Sequence, residues 1–151
     1  MKRVLIDDRL LIEELTVGIG IEGVAYATSM YWYFRACRAA VLGAGGHLSG
    51  PFERIGTTRQ ARAIEQLLRL RDDISLPEPR AAVSTMVGVA SRHPRLNLLN
   101  IEATAAALDI ADVVWLSPKA SEGVLPAVLD AEGVRWRVHH IDEPSGPDDV
   151  G

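Results

Sequence analysis

The sequence predicts an α/β domain with a central, mostly parallel five-stranded sheet and helices on both faces. Three observations predict it. Val4-Leu5-Ile6 is an unbroken apolar run with two β-branched residues, and it stops on Asp7-Asp8. A parallel strand covered on both faces needs no polar alternation, so such a run reads as a buried strand. Val113-Val114-Trp115-Leu116 is a second run of the same kind, ending at Ser117-Pro118-Lys119. Around these two, apolar residues recur at helical spacing, so that strand and helix alternate along the chain.

In chain order, residues 10–17 carry the first helical pattern, with Asp7 or Asp8 placed to cap it. Gly18, Gly20 and Gly23 spell a dinucleotide-binding glycine pattern, but they follow a helix rather than a strand, which makes them a loop. Val24-Ala25-Tyr26-Ala27 is the second strand. A helix capped by Thr28 or Ser29 then runs to about Val41 and contains Tyr31, Trp32, Tyr33 and Phe34. Arg35 and Arg38 share one face of it, three residues apart. Gly43 to Pro51 reads as a loop containing His47. Residues 58–71 form an amphipathic helix with Thr58 as candidate cap. Its apolar side is Ala61, Ile64, Leu67, Leu68 and Leu70, and Arg59, Arg62, Arg69 and Arg71 make a basic stripe. Ile74-Ser75-Leu76 is the third strand, ended by Pro77 and Pro79. A helix over 80–92 stops at His93-Pro94. Asn97 and Asn100 are candidate caps for an Ala-rich helix from Ile101 to Ile110. After the Val113–Leu116 strand, a helix over 121–132 is stopped by Gly133. Val134 to Val138 alternates apolar and charged residues as an edge strand does. Residues 1–141 thus form one domain, and the Pro-, Gly- and Asp-rich residues 142–151 form a flexible tail.

The totals narrow the function classes. The 151 residues are 48% hydrophobic and 24% charged, with a net charge of −4, so bulk charge does not draw the chain to phosphate backbones. Any nucleic-acid contact must come from a local basic patch. The single Cys37 excludes an intramolecular disulfide and suits a reducing compartment. No secretory signal pattern and no spanning stretch of roughly 18 apolar residues is visible, so the expected location is cytoplasmic, away from membranes. Adjacent His139 and His140 diverge on a strand and do not share a metal.

Val4-Leu5-Ile6-Asp7 feeding an apolar helix, Ala27-Thr28-Ser29 opening the next, and Leu98 to Ala107 followed by Val113–Ser117 together resemble the PIN domain, the fold of the VapC-type toxin ribonucleases. Ala131-Glu132-Gly133-Val134 is similar to that family's closing turn, and the resemblance covers roughly residues 2–139. It implies a three-layer α/β/α sandwich and an endoribonuclease that holds Mg²⁺ or Mn²⁺ among acids, with an RNA substrate, a small antitoxin partner and a homodimer. On this sequence Asp7 fits the first acid. Arg35 stands where the second should fall, Asn100 where the third should fall with Glu102 close by, and Ser117-Pro118-Lys119 where the fourth should fall. The implied catalytic residues are Asp7 and Glu102, and the implied metal ligands are Asp7, Glu102 and Asn100. Asp8, Glu13 and Glu122 are substitute ligands. Arg35, Arg38, Arg59 and Arg62 are the candidate RNA contacts.

Two functions follow from the resemblance, and a third reading departs from it. One is a metal-dependent ribonuclease of a toxin–antitoxin type system. The other is a catalytically degenerate module of the same fold that binds RNA or a protein partner, marked by an Asp7–Arg35 pair and the basic stripe Arg59, Arg62 and Arg69, in a pocket where Arg35 or Lys119 stands in for the metal. An unrelated α/β binder in which Asp7 is only a cap is the third. Exposed aromatics at Tyr31 and Trp32 would suit a partner interface.

Overall fold

The protein is described by a computed structural model that covers residues 1–42, 48–53 and 55–141. The chain order is β1 (Lys2–Ile6), α1 (Asp8–Thr16), β2 (Val24–Ala27), α2 (Met30–Leu42), α3 (Gly50–Glu53), α4 (Thr57–Arg69), α5 (Pro79–Arg92), α6 (Leu98–Ile110), β3 (Val113–Leu116), α7 (Pro118–Ser121), α8 (Leu125–Ala131) and β4 (Trp136–Val138). The strands make one parallel sheet in the order β2-β1-β3-β4. Alternate strand residues feed two cores. Val4, Ile6, Tyr26, Val113 and Trp115 pack against α1, α2 and α4. Leu5, Ala27, Val114 and Leu116 pack against α6 and α8 on the other face. The result is an α/β sandwich. Val4, Leu5 and Ile6 are completely buried, each contributing roughly 1.5–3 kcal/mol of transfer free energy.

Among the described residues the sheet has four strands, not the expected five. Ile74-Ser75-Leu76 supplies a single bridge opposite Ala27. Ser75 N–H donates to the Tyr26 carbonyl and the Ser75 carbonyl accepts from Thr28 N–H, both at 3.0 Å. Pro77 and Pro79 remove two of the donors that a longer ladder needs, and the Arg71–Asp73 ion pair at 2.9 Å turns the chain just before it. Ile74 still enters the core, so its apolar character reported burial rather than strand pairing.

Several helix ends differ from the sequence reading. Asp7 caps α1, its Oδ1 accepting from Leu10 N–H at 2.9 Å. Gly18, in the left-handed region at φ 91°, then ends that helix by donating to the Glu13 carbonyl at 2.9 Å. The residue preceding α4 is Gly56, not Thr58, and its buried residues are Ala63 and Leu67, while Ala61 and Leu68 are exposed. The expected 121–132 helix is shortened to α8, and a separate short helix, α7, precedes it beyond Gly123; each has a Pro in its first turn. Gly50–Glu53 is helical where a loop was expected. His47 and the 142–151 tail lie outside the described residues. No helix among those described is long and apolar enough to cross a membrane.

The Ala-rich α6 starts earlier than the sequence suggests, at Leu98, with Asn97 as its cap. Asn97 Oδ1 accepts from Asn100 N–H at 3.0 Å, which places Asn100 inside the first turn. Six consecutive residues, Glu102 to Ala107, are buried because the small alanines let α6 lie close to α2, α5 and β1. Asn97→Ala is expected to lower stability by about 1 kcal/mol through loss of that cap, and Asn100→Ala by less than half as much. Urea unfolding midpoints of the two variants, compared at constant m-value, check this.

Candidate functional site

β1 and β3 lie side by side and run parallel, so their carboxyl ends present Asp7 and Ser117 to the same place. In open parallel sheets this is the end at which ligands bind. Asp7 is completely buried. Its Oδ1 caps α1, and its Oδ2 accepts from Ser117 N–H at 2.8 Å and from Ser117 Oγ–H at 2.6 Å. Those bonds favour the carboxylate, yet burial, followed by the neighbouring Asp8 charge, outweighs them and pushes the pKa from 3.8 up to about 6. Ser117 directs its hydroxyl to Asp7 and makes no side-chain cap on α7.

Asp8 points elsewhere. Its side chain is 7% exposed, and Oδ1 accepts from Arg9 N–H at 2.8 Å. Oδ2 lies 3.3 Å from Arg35 Nε, an ion pair without hydrogen-bond alignment, so this buried oxygen has no hydrogen-bond partner. Burial raises the Asp8 pKa, and Arg35 opposes the rise. The expected Asp7–Arg35 pair is therefore an Asp8–Arg35 pair. Asp7 faces the start of α1 and Ser117, while its neighbour turns to α2.

Glu102 is completely buried and bonded to the backbone of α2. Oε1 accepts from Tyr31 N–H at 2.9 Å and Oε2 from Met30 N–H at 3.1 Å. With Ser29 Oγ accepting from Trp32 N–H at 3.1 Å, three amides at the start of α2 are satisfied by side chains. The Glu102 charge also sits at the positive end of the helix dipole.

A cavity of about 190 Å³ opens where β1 and β3 end, walled by Asp8, Trp32, Arg35, Asn100, Ser117 and Lys119. Neither Asp7 nor Glu102 lines it. Of the other candidate contacts, Arg38 is exposed and lies over the Phe34 ring at 5.9 Å, while Arg59 and Arg62 are exposed on α4, with Arg62 bordering a separate hollow. The structure thus brings Asn100 and Arg35 to the cavity but not Arg38, Arg59 or Arg62. Glu13 is paired with Arg9 at 3.0 Å. Trp32 is buried and Tyr31 half-buried, so Phe34, 57% exposed, is the exposed aromatic of α2 in place of the expected pair.

This donor set does not fit Mg²⁺ or Mn²⁺, which take several carboxylate and water oxygens at once. Both oxygens of Asp7 and both of Glu102 already accept backbone N–H bonds. Asp8 faces a guanidinium, and Lys119 shares the wall. Among the described residues no group of three or more His, Cys, Asp and Glu side chains is gathered to hold a metal.

No family model matches the sequence. No curated protein matches it either. A chain in the solved structure of VapBC-1 from nontypeable Haemophilus influenzae is similar over 90% of this chain and 97% of that one, at 12% identity and a TM-score of 0.49. A likeness at that level fixes neither the family nor the activity.

What remains is the chemistry of the cavity itself. Arg35 and Lys119 supply positive charge, Asn100 an amide, and Asp8 Oδ2 an unused acceptor. Asp8, first named as a substitute ligand, and Lys119, at the position of the fourth acid, carry more of this chemistry than Asp7 and Glu102. The signal for Asp8 was its place directly after a buried strand, and that for Lys119 its place three residues after another.

Proposed function

We propose that the chain is an RNA-binding module on a PIN-like α/β scaffold, without metal-dependent hydrolysis. The observation that carries this reading is the pair of cations, Arg35 and Lys119, on the wall of the cavity at the carboxyl ends of β1 and β3. A guanidinium and an ammonium on the wall of one cavity suit a phosphate group, although Arg35 also faces Asp8 at 3.3 Å. Asp8 Oδ2, buried without a hydrogen-bond partner, suits a ligand group that donates. A ribose 2′-hydroxyl is such a donor, and deoxyribose lacks it. With a net charge of −4, attraction to RNA is local to this wall. A small antitoxin partner and a homodimer accompany the same resemblance and belong to this proposal, as does the cytoplasmic location expected from the sequence. The competing reading is an Mg²⁺- or Mn²⁺-dependent endoribonuclease that uses Asp7 and Glu102, with Asn100 as a further ligand. It would require those two buried acids, neither of which lines the cavity, to share with a metal the oxygens that already accept backbone N–H bonds.

Fluorescence anisotropy with a labelled single-stranded RNA, and with DNA of the same sequence, tests the reading in EDTA and again in Mn²⁺. RNA is expected to bind in EDTA, several-fold more tightly than DNA, and to be recovered intact from Mn²⁺. Replacing Arg35 and Lys119 together by Ala is expected to weaken binding roughly tenfold or more. Cation-dependent cleavage by the native chain, or RNA binding indifferent to the double variant, would overturn it.

A further inference from the structure

The cavity does not end at Asn100. Asn100 and Val124 also border a second, more open hollow of about 590 Å³, so the two hollows adjoin across these residues. The second hollow lies between the α5–α6 turn and the start of α8. Its apolar lining includes Pro94, Leu96, Val124 and Val128, and its rim carries Arg92, His93 and Arg95. Charge along the groove is one-sided. Of the four cations on its walls, Arg35 is offset by Asp8 and Arg92 by Glu132, which leaves Lys119 and Arg95 as the cations without an ion pair among the described residues, in a chain whose total charge is negative.

The turn is built rather than loose. Glu132, 11% exposed, accepts from Arg92 Nε at 2.7 Å and meets His93 Nε2 at 3.1 Å, which fixes both side chains to α8's end of the molecule. Arg95 is exposed, and its side chain has no ion pair or hydrogen bond among the described residues. An unpaired guanidinium beside an apolar hollow offers a phosphate its charge while the attached base buries one face against Pro94, Leu96 and Val128.

We propose that this hollow is a second nucleotide subsite, and that single-stranded RNA lies along the groove from Arg35 and Lys119 to Arg95. The proposal rests on the RNA-binding reading above and adds a direction and a length to it. Acidic protein segments share the charge of RNA but offer no planar base for the apolar hollow.

Anisotropy with a uridylate dinucleotide and octanucleotide tests it on the full chain, beside Arg95→Glu and Arg95→Lys. Because Arg95 is exposed and unpaired, neither change disturbs the fold. The native chain is expected to bind the octanucleotide at least roughly tenfold more tightly than the dinucleotide. Arg95→Glu should abolish that gain and leave the dinucleotide affinity unchanged, and Arg95→Lys should keep most of it. The salt dependence of octanucleotide binding should also become shallower in Arg95→Glu. A length gain that survives Arg95→Glu overturns the subsite and leaves the cavity reading standing. Failure of both lengths to bind overturns both. An equal gain with a polyglutamate peptide would assign the groove to an acidic protein and overturn the proposal as stated.

Discussion

Glu102→Ala is expected to lower the stability of the fold by about 3 kcal/mol or more. Two charge-assisted hydrogen bonds to half-buried amides, Met30 N–H and Tyr31 N–H, disappear together, and each such bond contributes about 1.5–3 kcal/mol. The start of α2 is left without the negative charge that complements its dipole, and the packed space around a completely buried side chain is emptied. Glu102→Gln keeps the volume but turns one donor toward an amide, so its expected loss is smaller, about 1–2 kcal/mol. Chemical unfolding of the three proteins in metal-free buffer measures this. The direction of the change also separates the two roles assigned to Glu102. An acid held in a cluster of metal ligands repels its neighbours when the metal is removed, so deleting it there would raise stability. A fall identifies Glu102 as the clasp of α2.

The second large effect is in the pH dependence set by Asp7. Its folded pKa of about 6 stands above the ordinary value of 3.8, so the folded state binds the proton more tightly than the unfolded chain does. The contribution of Asp7 is therefore fully present below about pH 4 and is lost as pH rises through about 6, an effect on the order of 3 kcal/mol at 1.36 kcal/mol per unit. Asp7→Asn cannot titrate, but its amide donor faces Ser117 N–H, so the variant carries a fixed penalty of its own. Comparing the two proteins at two pH values removes that penalty. The advantage of the native chain over Asp7→Asn should shrink by about 2–3 kcal/mol between pH 4 and pH 7.5. An advantage that grows over the same interval would mean that the three hydrogen bonds, and not burial, dominate at Asp7.

Much of the scaffold was legible because buried parallel strands have a plain signature. Val4-Leu5-Ile6 and Val113-Val114-Trp115-Leu116 are both strands at the centre of the sheet. Ile74-Ser75-Leu76 misled because apolar residues specify burial, while pairing depends on donors that the flanking prolines lack. At the site, spacing alone brought Arg35 to the right region but to the wrong acid. Adjacent residues at the end of a strand diverge, and only the position of Ser117 on the neighbouring strand decides that Asp7 turns inward. Glu102 was harder still. Its role depends on where α2 begins in space relative to α6, which no local pattern encodes.

The clasp between Glu102 and α2 joins residues 71 and 72 apart in the chain, and this shapes how the molecule acquires its fold. Drawing together the ends of a segment that long carries an entropic penalty of about 4 kcal/mol, comparable to what the two bonds return. Two amides in the first turn of α2 therefore gain their partner only when α6 lies beside it. The second helix is completed from outside itself.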